Sequence, residues 1–282
     1  MGIKHLFKKV IRKVIKTISL FLRSQYLNSY ELKGKIGIAT YLKFILIPKV
    51  KVPFELGRSI RGTNFLEKQR NDQFHFFVKQ LISGVSLDVL ARSFFDTLQI
   101  EKKQSAAEIM DCDNNKKLKV YPAWAHVLPW DDMDIEEKYN TYFDFFIKNR
   151  SLHGLNFSNK STKYRNEIMY SKDLAYSHIN QTSKLLKSLK DNGYKTGKNP
   201  PNFEILIKDD SWRWYMSSEG NHRAYLCHNL GYLFFEGYIN RIVNIKDYKS
   251  WKNVKNGTYT KEEAINVFNK IFQGSHSIRG TV

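Results

Sequence analysis

The apolar positions of the chain change period several times, and each change marks an element. Over residues 3–22, Ile3, Leu6, Phe7, Val10, Ile11, Val14, Ile15, Ile18, Phe21 and Leu22 recur at spacings of three and four, which predicts one amphipathic helix. Residues 36–60 lose that period, with Pro48 and Pro53 as breakers, and read as irregular or short-stranded. Helical spacing returns from Phe65-Leu66 to Leu81, and Ser86 is placed to cap a second helix from Leu87 to Leu98. Lys102 to Lys119 is polar and charged and reads as an exposed loop or linker. Its Asp111, Asp113, Asn114 and Asn115 imitate a calcium loop only loosely, because the turn Gly and the spaced final Glu are missing. Tyr121 to Trp130 packs two Trp and two Pro into ten residues. Asp134 is a cap for a helix from Ile135 to Ile147, and Asn149 to Gly154 reads as a polar turn.

From His178 onward the pattern is more regular. Leu185, Leu186 and Leu189 predict a short helix that stops at Asn192-Gly193, where Gly favours a left-handed end. Phe203, Ile205 and Ile207 alternate with Glu204, Leu206 and Lys208, the period of a strand. Asp209-Asp210-Ser211 is a turn, and Trp212, Trp214 and Met216 form a second strand that closes a hairpin. A polar turn at 217–221 leads into a helix from His222 to Asn229, then Leu230-Gly231 and a third strand from Phe234 to Val243. Near the C-terminus Thr260 and Glu263 have capping-box spacing for a last helix through Ile271.

The expected class is therefore α+β: a mostly helical N-terminal part, a small α/β domain and a C-terminal helix. The divisions fall at 1–30 (basic amphipathic helix), 31–120 (helical region and linker), 121–171 (aromatic and Pro-rich connection), 172–245 (α/β domain) and 246–282 (last helix and tail).

Charge changes the picture at the N-terminus. The formal net charge is +19, and residues 1–53 carry 12 of the 46 Lys and Arg but only one of the 27 acids, Glu31. An apolar stripe flanked only by bases is the pattern of a helix lying in an anionic lipid interface. Residues 3–22 are thus expected to hold the protein at the inner face of the cytoplasmic membrane. No run reaches the ~18 apolar residues of a spanning helix. The N-terminus lacks a signal-peptide pattern, and Met1-Gly2 lacks the Ser or Thr of a myristoylation signal, Leu6 standing there. Two separated cysteines, Cys112 and Cys227, make neither a disulfide framework nor a zinc site. With the bases concentrated in an amphipathic helix, and with no recognition motif, nucleic acid is not the expected partner.

Candidate chemistry gathers at Glu219-Gly220-Asn221-His222-Arg223. A strand, a Gly turn and a helix mouth place unsatisfied amides and the positive end of the helix dipole at one point. Gly220 lets the backbone approach an anion, and Arg223 can fork onto a phosphate. Glu219 is a candidate general base or magnesium ligand, and His222 a phosphate contact or acid/base group. His178 and Gln181, at the mouth of the preceding helix, are candidates to line the same pocket. Trp124 and Arg150 are candidates for a substrate wall and an anion contact. The plainer reading of Trp124 and Trp130 is a staple between the N-terminal part and the C-terminal domain.

The order of helix, hairpin, Gly220-Asn221-His222-Arg223 with Ala224, Leu230-Gly231 and strand resembles the ParB/sulfiredoxin-like superfamily over about a quarter of the chain. The C-terminal half, with the Tyr121–Trp130 stretch, is also similar to proteins encoded near bacterial surface-polysaccharide genes. The first resemblance implies a nucleotide whose phosphates sit at the Gly-x-x-Arg turn. The chain departs from it in telling ways. Asn221 stands where sulfiredoxins place their cysteine, which argues against sulfinic-acid reduction. Asn221 and His222 replace the middle pair of the ParB Gly-Glu-Arg-Arg turn, and no partition helix-turn-helix follows. An acid before the Gly, here Glu219, resembles the turn of the free-serine kinases of this fold. The implied activity is phosphoryl transfer from a nucleoside triphosphate such as ATP, with Mg2+, to a small hydroxyl compound or sugar in surface-polysaccharide assembly. The alternatives left open are a non-catalytic nucleotide-binding regulator and a ParB-like DNA-binding or nuclease protein.

Overall fold

A computed structural model describes residues 30–31, 49–66, 73–151, 165–195, 201–216 and 220–276. The helix expected at 3–22 and Glu219 lie outside them. A six-stranded mixed sheet runs through the centre of the fold. Its strands are β1 (Tyr30–Glu31), β2 (Lys49–Pro53), β3 (Gly57–Arg58), β4 (Asn202–Lys208), β5 (Ser211–Met216) and β6 (Phe234–Asn244). Their order across the sheet is β1-β2-β6-β4-β5-β3. The expected hairpin is present: β4 and β5 pair antiparallel, with Lys208 opposite Ser211. β6 returns parallel to β4 on the other side. The sheet is completed from the N-terminal half, because β2 pairs antiparallel with β6 and β3 parallel with β5. The α+β class holds, and the sheet at 172–245 depends on strands that lie well before it in sequence.

Helices cover both faces of the sheet. On one face lie α1 (Gln73–Ile82), α2 (Leu87–Glu101), α7 (Lys172–Asn192) and α8 (Asn221–Asn229), packed on Phe203, Ile205, Trp212 and Trp214. The other face carries the short helices α3 (Ala106–Ile109), α4 (Lys116–Lys119) and α9 (Lys252–Lys255), and the longer α10 (Lys261–Gln273). These pack with Trp130, Leu206, Tyr215 and Val243. Two further helices, α5 (Ile135–Ser151) and α6 (Arg165–Met169), connect the halves.

Caps fix the boundaries. Ser86 accepts from the Val89 amide and opens α2, and Asp134 accepts from the Glu137 amide at 2.8 Å at the start of α5. Thr260 and Glu263 form the expected capping box, and Gly274 (φ 82°) ends α10 in the left-handed region.

Several expectations are corrected. The 102–119 segment is no exposed linker. Ser105 and Glu108 form a capping box, and Ala106, Ala107, Met110, Cys112 and Leu118 are buried in the second core. The helix leading to Gly193 is 21 residues long and starts at Lys172, capped by Ser171. His178 and Gln181 therefore sit in its interior rather than at its mouth. α5 continues to Ser151, so Arg150 falls in a helical turn and not in a polar loop. Its side chain lies outside the described part. Glu204 and Leu206 lie on the opposite face of β4 from Phe203, Ile205 and Ile207. Both are buried, at 2% and 0% exposure, because the strand is central and covered on both faces.

Candidate functional site

The mouth of α8 requires glycine twice over. Gly220 caps the helix with φ 95° and ψ 0°, a conformation that costs other residues free energy. A Cβ there would also lie 2.5 Å from Pro201 Cβ. The Ala224 amide donates to the Gly220 carbonyl at 2.9 Å and closes the first turn. The cap glycine has no side chain with which to accept a bond. The opening amides of a helix have no acceptor within the helix, and together with the dipole they give this end a positive potential.

Arg223, in the first turn, lines an open cleft of about 290 Å³ between α8 and the end of α7. Leu185, Ser188, Leu189 and Asn192 of α7 form one wall, and Gly193, Tyr194 and Lys195 close it. Gly193 (φ 66°) turns the chain off the helix, and the Tyr194 hydroxyl donates to the Glu236 carbonyl of β6. Tyr194 also stacks on Phe235, with ring centroids 5.3 Å apart. These contacts pin the loop to the sheet and set Lys195 on the same cleft as Arg223. Burial pushes the thiol of nearby Cys227 up to about 12, so it stays protonated and is no nucleophile. Ser188, Tyr194 and Lys195 were not singled out from the sequence. The signal available was the Gly193 helix stop followed by a tyrosine and a cation.

His222 turns away from this cleft into packed side chains. The Thr182 hydroxyl donates to the His178 carbonyl at 2.7 Å, so it accepts from His222 Nδ1 at 2.9 Å. His222 Nε2 then accepts from His178 Nδ1 at 3.3 Å. Phe74 lies over His222 with ring centroids 4.8 Å apart. Both nitrogens of His222 are thus held within the fold, which makes it a positioning residue that ties the mouth of α8 to α7. His178 contacts His222 and, like it, is not among the cleft residues. Gln181 bonds back to Ser177 at 3.2 Å, and it is not among the cleft residues. Trp124 is 6% exposed, stacks on Tyr139 and donates to Asn166 at 2.8 Å. It staples the connecting segment and forms no wall of the cleft.

Among the described residues, no group of three or more His, Cys, Asp and Glu is arranged to hold a metal ion. No described helix is long and apolar enough to cross a membrane. Compared with family models, curated proteins and solved structures, the chain matches none.

Proposed function

We propose that the protein binds a nucleoside di- or triphosphate through its phosphates, in the cleft between the end of α7 and the mouth of α8. The observation that carries this reading is a pair of cations on one open cleft, Lys195 after the end of α7 and Arg223 in the first turn of a helix capped by left-handed Gly220. Each cation can form charge-assisted bonds to phosphate oxygens. The ParB/sulfiredoxin-like order of elements is in keeping with this placement.

The activity proposed on that site is phosphoryl transfer to a small hydroxyl compound or sugar of surface-polysaccharide assembly, with Glu219 as base or magnesium ligand. Magnesium would neutralise the phosphate charge, and Glu219 and the nucleotide itself would hold it. The engagement of both His222 nitrogens favours a second reading, a nucleotide-binding regulator without turnover. A thermal-shift panel of nucleotides with and without magnesium tests binding, because a ligand of the native state raises its stability by mass action. Turnover assays on the wild type and Glu219→Gln separate the two readings. A transferase loses 10²–10⁴-fold in the variant, the usual contribution of a general base. A regulator shows no turnover in either protein. No stabilisation by any nucleotide refutes both.

We further propose that residues 3–22 hold the protein on anionic lipid. Deleting residues 1–23 should abolish co-sedimentation with anionic vesicles, and binding by the full chain should weaken as salt rises. Equal vesicle binding by the two proteins would refute the anchor.

A further inference from the structure

The second core contains a cavity of about 150 Å³ on the face of the sheet opposite Arg223. Ile109, Met110, Leu128 and Ile271 give it an apolar wall. Its more exposed side is formed by Ile60 and the Arg61–Glu101 ion pair, at 3.1 Å. A space on the order of 150 Å³ holds a benzene-sized molecule.

Two imidazoles also line this cavity. His126 Nδ1 lies 2.8 Å from the Ala123 carbonyl, which can only accept, so Nδ1 carries the proton. Burial pushes the ring down to about 3, so it is neutral and Nε2 presents a lone pair. His126 is partly accessible and lines the cavity. His276, 3% exposed, directs Nδ1 at the Arg61 carbonyl at 3.3 Å, and its buried Nε2 makes no hydrogen bond of good geometry. Burial lowers its proton affinity too, and the Asp111 carboxylate and the carbonyls of Arg61 and Met110 offset only part of that. An apolar space with an unmet acceptor at His126 Nε2 selects for one donor on an otherwise apolar body. Arg61 and Glu101, the charged residues of the wall, pair with each other, which favours an uncharged ligand.

We propose that this cavity is a second ligand site, taking a small uncharged apolar molecule with one hydroxyl, which donates to His126 Nε2. The sheet separates it from the Arg223 cleft, so the ligand is not the acceptor of a phosphoryl group bound there. The site stands or falls independently of nucleotide binding.

Phenol and toluene are the probes, nearly equal in shape and differing in the donor. On the full chain, followed by thermal shift and by the nitrogen-15 signals of the imidazoles, phenol should bind about tenfold more tightly. That ratio corresponds to one hydrogen bond, ~1.4 kcal/mol. The Nε2 signal of His126 should move with phenol and not with toluene. His126→Phe should erase the preference while toluene still binds, and Arg223→Ala should leave it intact. If His126→Phe does not fold, the wild-type ratio and the Nε2 signal decide alone. Equal binding of the two probes, no binding of either, or a phenol preference without movement of the Nε2 signal would overturn the proposal.

Discussion

Glu204→Gln should stabilise the protein at neutral pH and above, and the gain should grow with pH. Glu204 lies on the central strand β4 with 2% exposure, accepts from Trp130 Nε1 at 2.8 Å and faces Arg241 Nε at 3.6 Å. Burial raises its carboxyl from 4.5 to about 7, and the Arg241 charge offsets only part of the rise. At 1.36 kcal/mol per pKa unit, ionising it inside the fold costs roughly 3 kcal/mol once the pH exceeds 7. The sign follows from linkage. Below pH 4.5 the acid is neutral in both states and carries no penalty. Between 4.5 and 7 the unfolded chain ionises and the folded one resists, so wild-type stability falls as pH rises. Glutamine is never charged and still accepts from Trp130. Urea unfolding of both proteins between pH 4 and 8.5 should therefore give near-equal stabilities at the acid end. At the alkaline end the gap should reach about 3 kcal/mol in favour of the variant. A gap that stays constant with pH, or a variant less stable at pH 8, would refute the reasoning.

Other outcomes follow from the same geometry. Gly220→Ala should cost about 1–3 kcal/mol in denaturant unfolding, from the left-handed backbone and the collision with Pro201; no loss would mean the α8 mouth is built differently. Ser105→Ala should cost about 1 kcal/mol by removing the α3 capping box; a neutral result would return the 102–119 segment to an unstructured linker. Cys112 and Cys227, both buried with thiols pushed up to about 12, should resist alkylation in the native state at pH 7 and react only after unfolding. Mass spectrometry after iodoacetamide treatment checks this, and rapid native labelling would contradict their placement.

Much of the local structure is legible in the sequence, for local reasons. Ser86, Asp134 and Thr260 announce their helices because a cap is a contact within a few residues. The hairpin of β4 and β5 is readable from its alternation and its short turn. What stays hidden is long-range. Nothing local in Lys49–Pro53 shows that it pairs with β6, nearly two hundred residues later. The burial of Glu204 is not legible in β4 alone, because a single strand does not show that α10 and Trp130 cover its other face. In 102–119, frequent charges mask the buried Ala106, Ala107, Met110 and Leu118. At the candidate site, Gly220 and Arg223 are readable from the turn, whereas Lys195 enters through the fold of the loop after α7. His222 stands in the motif, but its bonds to Thr182 and His178 can be seen only once α7 is known to extend back to Lys172.

The central claim, a phosphate seat at the mouth of α8, is tested most directly by calorimetric titration of ADP and ATP into the wild type and Arg223→Ala. Arg223 faces an open cleft, so its removal should leave the fold and the unfolding midpoint little changed. Binding should weaken by about 1.5–3 kcal/mol, the range for a hydrogen bond to a charged group, and Lys195→Ala should weaken it in the same direction. Unchanged nucleotide affinity in Arg223→Ala would contradict the account.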